Sequence, residues 1–160
     1  MESYNPNEGM PKQMGEKFEK KYEGMEPHIT EEELREECAD YPELLPLLDE
    51  MVEYASRYVL DVWKMEALLR KQKEFTSAEE WKEAWSKVDG DRSRLHDTFI
   101  DSIAILSRNM NQRELNTDWV KELAPTGKLE RARCGKFGIM LMFRRYINFK
   151  LSSEDSHETD

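Results

Sequence analysis

The sequence predicts an all-α protein: a single-domain bundle of four to five helices with an acidic arm at the N-terminus and an acidic tail at the C-terminus. A chain of 160 residues is long enough for one domain with a real core and too short for two. Apolar residues recur at steps of three and four in several segments, which is typical of helices packed on one face. We expect a flexible arm over residues 1–27, a bundle domain over 28–151 and a flexible tail over 152–160.

The N-terminal region changes character near residue 28. Residues 1–27 contain three prolines and three glycines and show little apolar periodicity, which favours a mobile segment. Thr30 and Glu33 then form a capping-box pattern, in which each side chain can bond the other residue's backbone N–H. A helix is therefore predicted from Thr30 to about Asp40, before Pro42.

The next segment carries the clearest helical signal in the chain. Its apolar residues alternate in steps of four and three, and a second column formed by Leu45, Val52 and Val59 widens the stripe to the breadth of a bundle helix. The main stripe consists of Leu44, Leu48, Met51, Ala55, Tyr58, Val62, Met65 and Leu69. Because Pro46 is tolerated only in a first turn, the helix is predicted to run from about Pro46 to Lys73.

Two helices are predicted in the following third of the chain. Ser77 and Glu80 form a second capping-box pattern before a short helix that carries Trp81 and Trp85 on one face. The sequence VDGD at 88–91 is expected to break the chain, with Asp91 capping a new helix over residues 91–111. That second helix has a core face made of Leu95, Phe99, Ile103, Leu106 and Met110.

The C-terminal part is predicted to contain a short helix with Trp119 and a long final helix. Alternating apolar residues between 139 and 151 also fit a strand, but the chain offers no second strand to pair with it. Gly135 and Gly138 cost about 1 kcal/mol each in a helix, which favours a close approach to a neighbouring helix at these positions.

Charge is distributed unevenly along the chain, whose net charge is -10. Residues 1–42 carry 12 acidic and 5 basic side chains, whereas residues 113–151 carry 4 acidic and 9 basic ones. Such asymmetry indicates partners or self-complementation, or simply solvated faces. Direct binding of nucleic acid is not expected, because the whole chain repels a polyanion.

His96 raises the question of a functional site, because it lies at the border of an apolar stripe beside basic residues. One reading makes it a hydrogen-bonded wall residue of the core. The other makes it part of an anion site with basic groups of the last helix, since guanidinium and imidazolium both donate to phosphate or carboxylate. The candidate anion-binding residues are Arg92, His96, Arg131, Arg133, Arg144 and Arg145.

No complete catalytic, metal or cofactor pattern is found. The chain lacks a Walker loop, a dinucleotide-binding glycine fingerprint and a serine nucleophile motif, so we predict no metal and no cofactor. Cys134 is expected to be a small packing residue. Two widely separated cysteines, with no signal peptide and no long apolar run, favour a cytoplasmic protein that does not associate with a membrane.

These observations favour a non-enzymatic protein-interaction or regulatory protein that binds a protein partner through a helix face. Trp81, Trp85 and Trp119 are expected to be exposed on such a surface. An acidic inhibitor or decoy of a nucleic-acid-binding protein is a variant of this function, and a homodimer is a further option. The alternative is a small metal- or nucleotide-dependent hydrolase centred on His96, with Asp97, Asp101 and Glu66 as its carboxylates.

One stretch also resembles a known group of proteins. Its residues Arg92, His96, Ile100, Ile103, Leu106 and Arg108 are similar to small uncharacterised helical proteins of Gram-positive bacteria and their mobile elements. The resemblance implies an all-α fold and brings no function with it.

Overall fold

The apolar periodicity of the sequence becomes a set of packed helices, and residues 16–158, which the computed structural model describes, contain no strand. Side chains are described from residue 19 to residue 152, residue 150 excepted. The α-helices are α1 (Glu16–Tyr22), α2 (Glu31–Glu37), α3 (Leu45–Arg70), α4 (Ala78–Gln112), α5 (Asp118–Leu123) and α6 (Arg131–Glu158). The predicted all-α bundle is confirmed, and the described residues form six α-helices where four to five were expected.

The antiparallel pair α3–α4 forms the spine of the domain and makes the most extensive contact between any two helices of the described chain. A 3₁₀ turn over Pro42–Leu44 leads into α3, and Pro46 lies in its first turn, where its missing N–H costs nothing. We call the end of the pair where α3 ends and α4 begins its outer end. There the Trp81 indole N–H donates to the Leu68 carbonyl at 2.8 Å and ties α4 to α3. Of the capping box predicted at the start of α4, one bond is present, since the Ser77 hydroxyl accepts from the Glu80 N–H at 3.2 Å. The Glu80 carboxylate accepts from the Thr76 hydroxyl instead of the Ser77 N–H.

The predicted break at VDGD is wrong, because α4 continues through it for 35 residues in all. A glycine inside a helix costs only about 1 kcal/mol. Helix α3 contacts α4 on both sides of Gly90, through Trp81 before it and His96 after it. Asp91 is not a cap. It pairs with Arg94 one turn later, as Asp89 pairs with Arg92 at 2.9 Å.

The last helix, α6, lies across α3 and α4 and completes the core, so the helix prediction for this segment is confirmed and the strand alternative is wrong. Its two glycines mark the closest approaches. A Cβ atom on Gly138 would lie 2.8 Å from Cε2 of Phe99, and one on Gly135 would lie 2.9 Å from the Tyr58 hydroxyl oxygen. The predicted close approach of a neighbouring helix at these glycines is therefore confirmed.

The N-terminal segment differs from the expected arm. Helix α1 forms within residues 1–27, the Tyr22 side chain is 7% exposed, and its ring lies 6.3 Å from that of Phe143 on α6. The Tyr146 hydroxyl donates to the Glu19 carboxylate at 2.8 Å. The composition of residues 1–27 could not predict these contacts, because they are made with α6, more than 100 residues away in the sequence.

At the other end, α6 continues to Glu158, past the predicted start of the tail at residue 152, and the domain division stays a prediction. The predictions for residues 1–15 and 159–160 lie outside the described residues. The capping box of α2 is confirmed, with Thr30 and Glu33 each accepting the other's backbone N–H at 3.1–3.2 Å. Among the described helices, none is both long enough and apolar enough to cross a membrane.

Substitution by alanine should change the free energy of unfolding in opposite directions at a closely packed helical glycine, Gly138, and at a glycine in looser surroundings, Gly90. Gly138→Ala should lower the free energy of unfolding by about 1 kcal/mol or more, since the new methyl group meets the fully buried Phe99 ring and overpacking exceeds the gain in helix propensity. Gly90→Ala is the matched control, because its methyl group would contact only the Arg94 side chain at 3.5 Å. It should raise the free energy by about 0.5–1 kcal/mol. Urea unfolding measures both, and a stabilised Gly138→Ala variant would contradict the close approach.

Candidate functional site

His96 lies where three helices meet. Its side chain is held on α4, stacks on the Tyr58 ring of α3 at 4.9 Å between centroids and faces Gly135 of α6. The residue is 5% exposed, and its Nε2 lies 2.9 Å from the Arg131 carbonyl oxygen at the start of α6. An N–H at Nε2 donates to that carbonyl, which leaves Nδ1 buried without a partner among the described residues. The geometry matches a wall residue that links α4 to α6.

The surroundings of His96 favour neutral groups. Burial lowers the pKa of His96, and the charges of Arg131 and Arg92 lower it further, against the bond to the Arg131 carbonyl. Burial likewise raises the pKa of Tyr58. Asp61, one turn farther along α3, is 7% exposed, and its pKa is raised by burial despite Lys64 at 3.7 Å. A neutral imidazole is therefore the form that suits this position.

The structure brings three of the six candidate anion-binding residues together. Arg92, His96 and Arg131 gather at the start of α6, but both arginines are already paired. Arg92 bonds Asp89, and the Arg131 guanidinium pairs with the Asp97 carboxylate. These intramolecular carboxylates occupy the places that an external anion would take.

The other three candidates do not join this group. Arg133 bonds the Glu130 carboxylate at 2.9 Å and the Glu122 carbonyl at 3.1 Å. Arg144 and Arg145 lie roughly 20 Å farther along α6, from 13 residues at about 1.5 Å each. A single site made of all six residues is not formed, and anion binding by either part stays a prediction.

Near the middle of α6, basic side chains meet acidic ones from the N-terminal segment. Arg145 bonds Glu31 at 2.6 Å with both side chains nearly buried, and Arg144 pairs with Glu26 at 3.3 Å. Arg113, just after α4, pairs with Glu43 at 3.0 Å. Part of the charge asymmetry of the sequence is therefore self-complementation.

The four residues of the hydrolase alternative are spread along the α3–α4 pair. Tyr58 lies opposite His96, so Glu66, eight residues beyond it on α3, is about 12 Å toward the outer end. Asp101 is exposed and lies about 7 Å from His96 in the opposite direction along α4. Within the described part of the chain, no three histidine, cysteine or acidic side chains are grouped to hold a metal ion.

Cys134 is fully buried beside Gly135. Burial raises its pKa to about 11, and the nearby Glu130 adds to this shift. The packing role expected from the sequence fits this position, and the basic residues around it in the sequence do not activate the thiol.

The outer end of the α3–α4 pair forms a separate surface that is not covered by α6. We name residues 62–95 the hairpin arm; none of them is buried, whereas the neighbouring Asp61 and His96 both are. The reason is that α6 starts at the level of His96 and runs away from the arm. The arm still carries apolar side chains, most of them half-exposed: Val62, Trp63, Leu68, Leu69, Trp81, Trp85 and Val88.

The tryptophans divide between the arm and the core. Trp81 and Trp85 stack with ring centroids 5.3 Å apart on the surface of the arm, as expected from their spacing. The expected exposure of Trp119 is wrong, because it is 4% exposed and stacks on Phe137 of α6 at 5.6 Å. One sequence signal could have predicted that the arm is not buried. Before Leu95, the apolar residues of α4 are few and do not form the continuous stripe found after it.

A family model described as "Protein of unknown function (DUF3232)" matches residues 16–127 of the chain. The chain belongs to this family. The matched span contains the whole hairpin arm and His96, and it ends before α6. No curated protein and no solved structure matches the chain.

Acidification should destabilise this DUF3232 protein through His96. The folded state lowers the pKa of His96, so the unfolded chain binds the proton more readily, and stability falls as the pH drops below about 6.5. His96→Gln retains an N–H donor for the Arg131 carbonyl but does not titrate. The melting temperature of the variant should therefore fall less than that of the wild type between about pH 7.5 and about pH 5.5. An equal fall in both proteins would contradict the lowered pKa.

The thiols of this DUF3232 protein should be unreactive while it is folded. Cys38 and Cys134 are both fully buried with raised pKa values. At about pH 8, Cys134 should be labelled by a thiol reagent on the order of 100-fold more slowly in the native protein than in denaturant. Peptide mass spectrometry distinguishes the two sites, and native labelling of Cys134 at the denatured rate would show that its burial is wrong.

Proposed function

We propose that this DUF3232 protein is a helical protein-interaction module whose binding element is the hairpin arm. The observation that carries the proposal is the apolar face of α3 and α4 that continues beyond the start of α6. In the body of the domain α6 covers this face, and along the arm no third helix of residues 16–158 does so. A helix pair with an uncovered apolar stripe is suited to accept a helix from another chain.

The charges of the chain support a protein partner over a nucleic acid. The net charge is -10, and Arg144, Arg145 and Arg131 are each paired with a carboxylate of the same chain. Three arginines that could hold a polyanion are therefore already engaged within the chain. The net charge also supports the acidic-inhibitor variant, in which the protein occupies the basic surface of a nucleic-acid-binding protein. Salt-sensitive association would distinguish that variant.

The proposal can be tested by site-specific photo-crosslinking in cells of the natural host. A photoreactive amino acid replaces Leu69 on the arm, and the matched control replaces Leu151 on α6, since the two leucines are 49% and 54% exposed. Leu69 should give one discrete cross-linked product with a defined protein, whether a different protein or another copy of this chain. Leu151 should not give that product.

Two outcomes would overturn the proposal. One is a discrete product at Leu151 with none at Leu69, which would place the binding surface on the body of the domain. The other is the same weak, heterogeneous labelling at both positions, which is what random collisions produce.

A further inference from the structure

The outer end of the hairpin arm separates charges by sign. The end of α3 and the loop after it carry Arg70, Lys71 and Lys73, and the start of α4 carries Glu79, Glu80 and Glu83, all exposed. None of these six takes part in an ion pair within the arm, which the structure describes completely. The ion pairs there lie at its inner end, where Lys64 meets Asp61, Asp89 meets Arg92, and Asp91 meets Arg94.

This arrangement is complementary to itself. In a two-fold pair every contact occurs twice, so the basic end of α3 in one copy can face the acidic start of α4 in the other, and the reverse. Opposite charges that form no ion pair among the described residues of one chain would then be paired between two chains. Such complementarity fixes register and partner choice even where each exposed pair contributes little energy.

The net charge of the arm also favours a second copy. Residues 62–95 hold eight basic and seven acidic side chains, so the arm is close to neutral, whereas the whole chain carries -10. Two copies that approached through their acidic surfaces would repel each other, and contact through the neutral arm limits that repulsion.

The apolar side chains of the arm provide the attraction. Two helices cannot enclose an apolar centre, whereas four can, as in four-helix bundles. Two arms together supply four helices, and their contact would cover Leu69 and the half-exposed indoles of Trp81 and Trp85. Burial of apolar area is the main driving force of such association.

We propose that the partner of the hairpin arm is a second copy of this chain, which forms a two-fold dimer with the α3 end of each arm against the α4 start of the other. The inference rests on the proposed function, because it names the partner of the same binding element. It adds a register that charge reversal can test.

The test uses two charge-reversed full-length proteins. One carries Lys71→Glu with Lys73→Glu, and the other carries Glu79→Lys with Glu83→Lys. Glu80 is left unchanged because its side chain bonds Thr76 and its N–H bonds the Ser77 cap. Each reversed protein alone should dissociate on the order of 10-fold more readily than the wild type in sedimentation velocity at low ionic strength, because like charges then meet.

An equimolar mixture of the two reversed proteins should form a dimer again, since the opposite signs are restored across the interface. This rescue separates a lost contact from a damaged fold. The control is Arg108→Glu with Lys136→Glu, two exposed residues on the body, which changes the net charge as much as the lysine reversal does. It should leave the dimer unchanged.

A wild type that stays monomeric at about 100 μM, about a hundredfold excess over a dissociation constant of about 1 μM, would overturn the dimer. So would reversed proteins that dimerise normally, or a mixture that shows no rescue. If the wild type is monomeric and Leu69 still cross-links to a different protein, the dimer is wrong and the binding role of the arm stands. A monomer with no discrete product at Leu69 would contradict both.

Discussion

The close approach of α6 to the α3–α4 pair is the constraint on which the rest of the structure depends. At Gly135 and Gly138 the α6 backbone comes so near Tyr58, His96 and Phe99 that a single methyl group would crowd them. Glycine costs helix stability, but here it lets one helix seal the core against two others. An aromatic series from Tyr58 through Phe99 and Phe137 then continues across the core.

The position of α6 also decides what is left uncovered. The helix begins at Arg131, whose carbonyl is bonded by His96, and it runs away from the hairpin arm. The histidine that looked most like a reactive group thus marks the edge of the core, where a neutral ring suits its surroundings. Beyond it, apolar residues of α3 and α4 continue without a cover from another described helix, so the extent of this uncovered surface follows from where α6 starts.

Ion pairs also hold the N-terminal helices against α6. Acidic residues of the N-terminal segment pair with arginines near the middle of α6, and Arg145 with Glu31 is nearly buried. Such pairs orient the N-terminal helices against α6 more than they stabilise the fold, because desolvation offsets much of the attraction. With these groups engaged, the neutral arm differs from an otherwise acidic chain, and its unpaired charges remain at the outer end.

The sequence alone determined the helical class, the long stripe of α3 and the caps at Thr30 and Ser77, because these features depend on neighbours within a few residues. It also indicated a close approach at Gly135 and Gly138, because glycine otherwise costs stability inside a helix. It did not reveal that α4 passes through Gly90, that Trp119 is buried, or that the N-terminal segment packs through Tyr22. It also did not show which of the six candidate anion-binding residues lie close together. Tertiary structure decided these points, since each depends on a helix that is distant in sequence. Periodicity shows which face of a helix is buried, but it does not show which helix covers that face or where the cover ends.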